Sequence, residues 1–114
     1  MWYNYTMAEM TFKNCKIEKI VDGDTVDVIA DLGFHVSTKV RIRLAYINAP
    51  EMSDAAGLEA KSTLSGLCLG ADVSLTCHGK DRYGRWIGTL ERKTDHLILN
   101  DEMIRLGMAD KVNY

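Results

Sequence analysis

The chain has 114 residues, of which 46% are hydrophobic, so it is long enough to form one domain with an ordinary core. Its 14 Lys and Arg residues nearly balance its 16 Asp and Glu residues, which excludes a global positive field that would attract polyanions. No apolar run approaches the roughly 18 residues that cross a bilayer, which excludes a membrane-spanning protein. We therefore expect a single domain over residues 1–114, with any anion binding due to local groups.

The three cysteines predict a reducing environment. Cys15, Cys68 and Cys77 are odd in number and have no CxxC spacing, and no basic and apolar leader precedes them. Free thiols are therefore expected, without a disulfide framework or a structural zinc site. On this basis we expect a cytoplasmic protein, and a monomer.

The first two strands are indicated by hydrophobic runs that turn residues separate. Residues 1–11 precede any clear periodicity and are read either as a loose tail or as an extra edge strand. The run over residues 12–21 predicts a strand, and the Asp-Gly-Asp segment at residues 22–24 supplies a hairpin turn. Residues 26–30 alternate as a second strand, which ends at the turn signal of residues 31–33.

The third strand has the clearest pattern, because apolar and polar residues alternate over residues 34–44. The polar positions are rich in basic residues, and Arg41 among them is expected to be solvated. Pro50 ends this region because proline cannot donate to a strand ladder. The positions predicted to face the core are Phe34, Val36, Val40, Ile42 and Leu44.

The second half of the chain predicts two helices and two more strands. Apolar residues fall at helical spacing over residues 55–70, and strand-like alternation follows over residues 73–77 and 86–90. Asn100 is predicted to cap a second helix that stops at Gly107. Three strands, a helix, two strands and a helix predict an α+β fold, mainly β, with five antiparallel strands in an oligonucleotide-binding (OB-fold) barrel.

Acidic and basic residues concentrate at the predicted strand ends, where loops at a barrel mouth build sites. Asp24, the Asn48 amide oxygen and a nearby backbone carbonyl would suit a hard divalent cation. Arg43 and Arg85 would clamp a phosphate through paired donors, and Glu51 would position or deprotonate water. Taken singly, these features are also consistent with ordinary turns and solvated surface residues.

Five ordered segments together resemble the staphylococcal, or micrococcal, nuclease family, also called thermonuclease-like. The segments are VDGDTVDV at residues 21–28, RIRLAYINAPE at 41–51, GLEA at 57–60, KDRYGRWIGTL at 80–90 and LNDEMIRLGMA at 99–109. The resemblance implies a five-stranded barrel with helices. It also implies calcium-dependent hydrolysis of DNA and RNA, with little sequence preference and a 3′-phosphate product. Mg²⁺ or another divalent cation is an alternative cofactor.

The resemblance also implies a role for each matching residue. Asp24 and the backbone carbonyl of Ala49 would bind the metal ion. Arg43 and Arg85 would contact the reacting phosphate, and Glu51 would act as the general base.

Two further positions match the family, and one departs from it. By resemblance, Asp22 would orient the residues that bind the metal ion without binding it directly, and Tyr83 would lie close to the bound nucleotide. Asn48 stands where the family has Asp, so this ligand would bring no negative charge. We therefore expect weak metal binding, with saturation at millimolar metal.

The neutral Asn48 leaves three functions open. The first is an active nuclease, in which the retained arginines and glutamate catalyse hydrolysis. The second is a module of the same fold that binds nucleic acid or a protein partner after losing its metal site. The third is a structural unit of a larger protein. Metal dependence separates the first two.

Overall fold

The structure of the protein is a computed structural model that describes residues 9–113. Most of the segment read as a tail or an edge strand, residues 1–8, lies outside the described residues. Met10 and Thr11 pair with Cys77 and Thr76, so they belong to the first strand. The tail interpretation is therefore wrong for these two residues, since their backbones complete a ladder.

The described residues form eight strands and two helices. The strands are β1 (Met10–Asp22), β2 (Thr25–Gly33), β3 (Val36–Leu44), β4 (Ile47–Asn48), β5 (Asp72–Lys80), β6 (Trp86–Arg92), β7 (Leu97–Ile98) and β8 (Asp110–Lys111). The helices are α1 (Ala55–Cys68) and α2 (Leu99–Arg105).

Five of the strands close into a barrel, as the sequence predicts. The order is β3-β2-β1-β5-β6, and β6 returns to pair with β3. This closing pair is parallel, with Ile42 opposite Trp86 and Leu44 opposite Gly88, so the expectation of a wholly antiparallel barrel is wrong. The reason is geometric, because five strands in a ring cannot alternate in direction all the way round. The fold is a mainly β OB-fold barrel with two helices.

The third strand enters the core only over its second half. Val40 is half-buried, and Ile42 and Leu44 are fully buried. Phe34 and Val36, also predicted to face the core, are 98% and 52% exposed. The β2–β3 hairpin projects beyond the barrel there, so its alternating residues have no opposing layer to cover them.

Asn100 does not cap α2, which begins one residue earlier at Leu99. Its buried side chain instead accepts a hydrogen bond from the Leu90 N–H (3.1 Å) and donates to the carbonyls of Ala45 (3.0 Å) and Gly88 (3.1 Å). These backbone groups lie beside the β3–β6 seam, and the Gly88 carbonyl also accepts a hydrogen bond from the Ala45 N–H (2.8 Å). Asn100 therefore fixes α2 to the barrel wall.

The three cysteines and the two helices are described by their burial and length. All three cysteines are free thiols, and burial raises the pKa of Cys68 to about 12. Cys68 is therefore protonated and unreactive at neutral pH. Across residues 9–113, neither helix is both long and apolar enough to cross a membrane.

Candidate functional site

The turn between β1 and β2 is locked against its neighbours. The Asp24 N–H donates to Asp22 Oδ1 (3.1 Å), and the Asp24 carbonyl accepts a hydrogen bond from the Leu44 N–H (2.7 Å). A Cβ placed on Gly23 would lie 2.7 Å from the Cβ of Ala60 in α1. Glycine is therefore required for the turn to lie against the helix. The sequence pattern Asp-Gly-Asp thus fixes the position of the Asp24 carboxylate.

The Asp24 carboxylate points into the protein, and the residue is only 7% exposed. Its Oδ2 accepts a hydrogen bond from the Ala49 N–H (2.9 Å), and its Oδ1 accepts one from Thr25 Oγ1 (3.1 Å). Burial raises the pKa of Asp24, and the hydrogen bond to Asp22 acts in the same direction. The Ala49 N–H and the Arg43 guanidinium act against this shift without cancelling it.

Arg43 is built into the barrel wall, with 12% of its side chain exposed. Its Nη1 donates to the carbonyls of Leu44 (3.0 Å) and Ile47 (2.8 Å). Its Nη2 donates to Asn48 Oδ1 (3.1 Å) and lies 3.3 Å from Asp24 Oδ2. These contacts occupy both terminal nitrogens and connect the predicted metal ligands Asp24 and Asn48 through one guanidinium.

Arg85 lies on the turn between β5 and β6, which one carboxylate organises. Asp81 accepts hydrogen bonds from the N–H groups of Tyr83 (2.9 Å) and Arg85 (3.0 Å) and from Arg85 Nε (2.7 Å). Burial pushes the pKa of Asp81 upward, but the hydrogen bonds from Arg85 and Tyr83 outweigh it and lower the pKa. Tyr83 is 69% exposed, and the guanidinium carbons of Arg82 and Arg85 each lie 5.2 Å from its ring centroid.

Arg43 and Arg85 line one surface depression of about 250 Å³. We call it the arginine depression, and its lining residues are Thr25, Arg41, Arg43, Gly84, Arg85 and Trp86. The depression thus brings together two arginines that are distant in sequence, at the parallel seam where β3 meets β6. Grouped guanidiniums favour an anion with several oxygen atoms, such as a phosphate.

Arg41 adds a third guanidinium to this depression. Its side chain is 59% exposed, as expected for a solvated residue, but it also forms a two-point ion pair with the buried Asp27. The Arg41 Nε lies 2.8 Å from Asp27 Oδ1, and its Nη2 lies 3.2 Å from Oδ2. The expectation that Arg41 is simply solvated is therefore incomplete. The sequence alone does not show the strand register that places Arg41 opposite Asp27.

Glu51 lies apart from these contacts, in the loop between β4 and α1. Its carbonyl accepts a hydrogen bond from the Asp54 N–H (3.0 Å), and a Cβ on Gly57 would lie 1.9 Å from that carbonyl oxygen. The first turn of α1 therefore presses on the Glu51 backbone. The side chain is exposed, and no group within residues 9–113 forms a hydrogen bond or ion pair with its carboxylate.

The predicted metal ligands match a hard cation in kind but carry little charge. The Asp24 carboxylate, the Asn48 amide and the Ala49 carbonyl all offer oxygen atoms, which calcium prefers. Only one of these groups is anionic, and the Arg43 guanidinium already lies beside two of them. No cluster of three His, Cys, Asp or Glu residues suited to a metal occurs within residues 9–113. The donor set therefore fits calcium, with low expected affinity.

Two residues of this region were not singled out by sequence reasoning. Asp81 organises the Arg85 turn, and its spacing from Tyr83 and Arg85 is typical of an aspartate that bonds the backbone two residues on. Trp86 directly follows Arg85 and lines the arginine depression. The sequence signal that could have identified Trp86 was an aromatic residue next to an arginine that is predicted to bind phosphate.

Comparison with known proteins decides the family. The profile described as "Staphylococcal nuclease homologue" matches residues 41–114, which include Arg43, Asn48, Glu51 and Arg85. The chain belongs to the staphylococcal nuclease family. Asp22 and Asp24 precede the matched residues, so their predicted roles depend on the resemblance and on the contacts described above.

Bacterial and plant relatives extend this result. An "Uncharacterized endonuclease" of Haemophilus influenzae is 38% identical over 95 residues, which cover 83% of this chain and 50% of that protein. A "Micrococcal nuclease" of Shigella flexneri is 33% identical over 106 residues, covering 87% and 58%. A "Probable staphylococcal-like nuclease CAN1" of Oryza sativa subsp. japonica is 32% identical over 92 residues, covering 72% and 27%. The chain spans about half the length of the bacterial relatives that it matches.

Proposed function

We propose that this protein is a metal-dependent nuclease that hydrolyses phosphodiester bonds of DNA or RNA with little sequence preference. The observation that carries the proposal is the arginine depression, where Arg43 and Arg85 meet. Membership of the nuclease family and the names of the relatives support the same reaction class.

The two arginines would stabilise the charge that develops on the phosphate oxygens during in-line attack. Donors that are already held in place cost little reorganisation at the moment of reaction. Arg43 meets this condition through its Nε, because its contacts to two carbonyls, Asn48 and Asp24 take up both terminal nitrogens and fix the guanidinium plane. Arg85 is oriented by Asp81 and is more exposed, so it can follow the phosphate as the substrate binds.

Glu51 would act as the general base. Its free carboxylate can take a proton from water while the water oxygen forms a bond to phosphorus. The bond from phosphorus to the 5′ oxygen then breaks, the leaving oxygen takes a proton from solvent, and a 3′-phosphate remains. Because these groups contact phosphate and water rather than base edges, little sequence preference follows.

A calcium ion, or magnesium in its place, would be held by Asp24, Asn48 and the Ala49 carbonyl. Asp22 would hold the turn that carries Asp24. When bound, the cation supplies positive charge to the substrate phosphate. The single carboxylate predicts that millimolar calcium is required.

The test is digestion of single-stranded DNA by the purified protein with calcium, with magnesium or with a chelator. We expect calcium-dependent cleavage, and Glu51→Gln should lower turnover by about 10²-fold or more with little change in DNA binding. Glu59→Gln, which neutralises an exposed carboxylate on α1, is the matched control and should retain activity. DNA binding without cleavage at millimolar calcium would overturn the proposal.

That negative result would favour a second function, a binding module of the same fold. The observation in its favour is the Arg43 guanidinium, which links the neutral Asn48 to Asp24 and supplies positive charge without a metal. Such a module would bind nucleic acid equally well in chelator, and its binding would be indifferent to Glu51→Gln. Metal dependence of cleavage therefore separates the two functions.

A further inference from the structure

An apolar groove of about 550 Å³ lies at one end of the barrel. Its walls come from the start of β1 at Phe12, the end of β2 at Leu32, the end of β5 at Cys77 and the start of β6 at Trp86. Helix α1 packs at the other end, against the β1–β2 turn. The groove is therefore the barrel mouth that α1 leaves uncovered.

Trp86 belongs to both the groove and the arginine depression. It is 41% exposed, and it directly follows Arg85 in the chain. A ligand whose phosphate is bound by Arg85 would therefore have the ring of the next residue, Trp86, beside it. Trp86 is therefore the lining residue that the two cavities share.

The rim of the groove is positively charged. Within residues 9–113, the free charge at this rim is that of Lys80, whose Nζ lies 4.6 Å from the centroid of the Trp86 ring. Lys39 also lines the groove, but its Nζ is paired with Glu18 (3.0 Å). An aromatic ring with adjacent cations is the arrangement with which proteins bind single-stranded nucleic acid, because bases stack and phosphates pair with the cations. A wholly apolar partner would gain nothing from this charge.

We propose that the groove is a second nucleotide subsite, in which a base of the bound strand stacks on Trp86 with Lys80 near its phosphate. This inference rests on the proposed function, since the same strand must hold its reacting phosphate in the arginine depression. The groove volume lies within the range of small-ligand sites, which is sufficient for a base. Only unpaired bases can reach it, so the subsite selects single strands.

The test is an abasic scan of an oligothymidylate of about eight nucleotides, a length within the footprint of one OB-fold. The Glu51→Gln protein is used so that the substrate remains intact. We expect one abasic position to weaken binding about tenfold, and Trp86→Ala in the same protein to abolish that loss. Trp86→Phe, which retains a ring for stacking, should preserve it.

The matched control is Phe34→Ala, which removes an aromatic ring that is 98% exposed and outside both cavities. It should leave the abasic profile unchanged. An identical profile in the Trp86→Ala and parent proteins would overturn the subsite.

Cleavage by the protein with native Glu51, measured in parallel, separates the two proposals. Cleavage without any coupling between Trp86 and a base position would overturn the subsite alone. Coupling without cleavage under any metal would support the subsite and overturn the nuclease function.

Discussion

Arg43 and Arg85 face the same depression but lie in different environments. The side chain of Arg43 is 12% exposed and contacts two carbonyls, an amide and a carboxylate. The side chain of Arg85 is 54% exposed, and its ion pair is with Asp81 in the same turn. Arg43 therefore contributes to the stability of the barrel as well as lining the depression, whereas Arg85 lines the depression and contributes little to stability.

The largest effect is expected for Arg43→Ala. The change removes the cation beside the buried Asp24 carboxylate and the side-chain donor to the carbonyls of Leu44 and Ile47. The free energy of unfolding should fall by about 3 kcal/mol, as for other broken buried pairs. Urea denaturation measures this change. Lys39→Ala, an exposed control on the same strand, should change it by less than about 0.5 kcal/mol. Equal effects of the two variants would refute the structural role of Arg43.

Arg85→Ala should show the opposite balance. We expect turnover to fall by about 10²-fold, because one donor to the developing charge is lost. The free energy of unfolding should change by less than about 1 kcal/mol, since the ion pair with Asp81 is largely exposed on the arginine side. Arg82→Ala, on the same turn but outside the depression, is the control for both measurements. Equal losses of turnover in the two variants would argue against a specific phosphate contact by Arg85.

Asn48→Asp tests the predicted metal ligands beside Arg43, because it adds a second carboxylate to them. Calcium binding should strengthen about tenfold, since affinity increases with ligand charge. Calorimetry measures this directly. Asn14→Asp adds the same charge at an exposed position on β1 and should leave calcium binding unchanged. If Asn48→Asp bound calcium no more tightly than the native protein, Asn48 would not be a ligand.

The smallest effect concerns acid pH on the Arg85 side. Hydrogen bonds from Arg85 and Tyr83 lower the pKa of Asp81 below its ordinary value of 3.8. Its contribution to stability is therefore present above that value and is lost as the pH falls through the lowered pKa. The difference in unfolding free energy between the native protein and Asp81→Asn should be smaller at about pH 3 than at about pH 7. An unchanged difference would show that Asp81 does not stabilise the turn as an anion.

Local patterns in the sequence predicted most of the fold. Alternating residues in β2 and helical spacing in α1 each report burial of one face, and a short chain has few ways to bury those faces together. The projecting β2–β3 turn at Phe34 could not be predicted, because alternation does not reveal where the opposing layer ends. The role of Asn100 was equally hidden, since it depends on backbone carbonyls that are distant from it in the sequence.

The candidate site was predictable as a set of residue types but not as a geometry. The turn residues Asp22 and Asp24 and the arginines were visible as motifs, and the structure joins Asp24, Arg43 and Asn48 in one network. That Arg43 bridges the two predicted metal ligands depends on its rotamer and on the register of β2 and β3. Neither is encoded in a local pattern.

In the proposed mechanism, Arg43 and Arg85 hold the same phosphate. The most direct test is NMR of the arginine side-chain N–H groups during titration of the Glu51→Gln protein with a single-stranded oligonucleotide. Arg43→Lys and Arg85→Lys variants would assign the two signals. We predict that both signals shift together over the same range of oligonucleotide concentration. A shift of the Arg85 signal alone, or of neither, would contradict the claim.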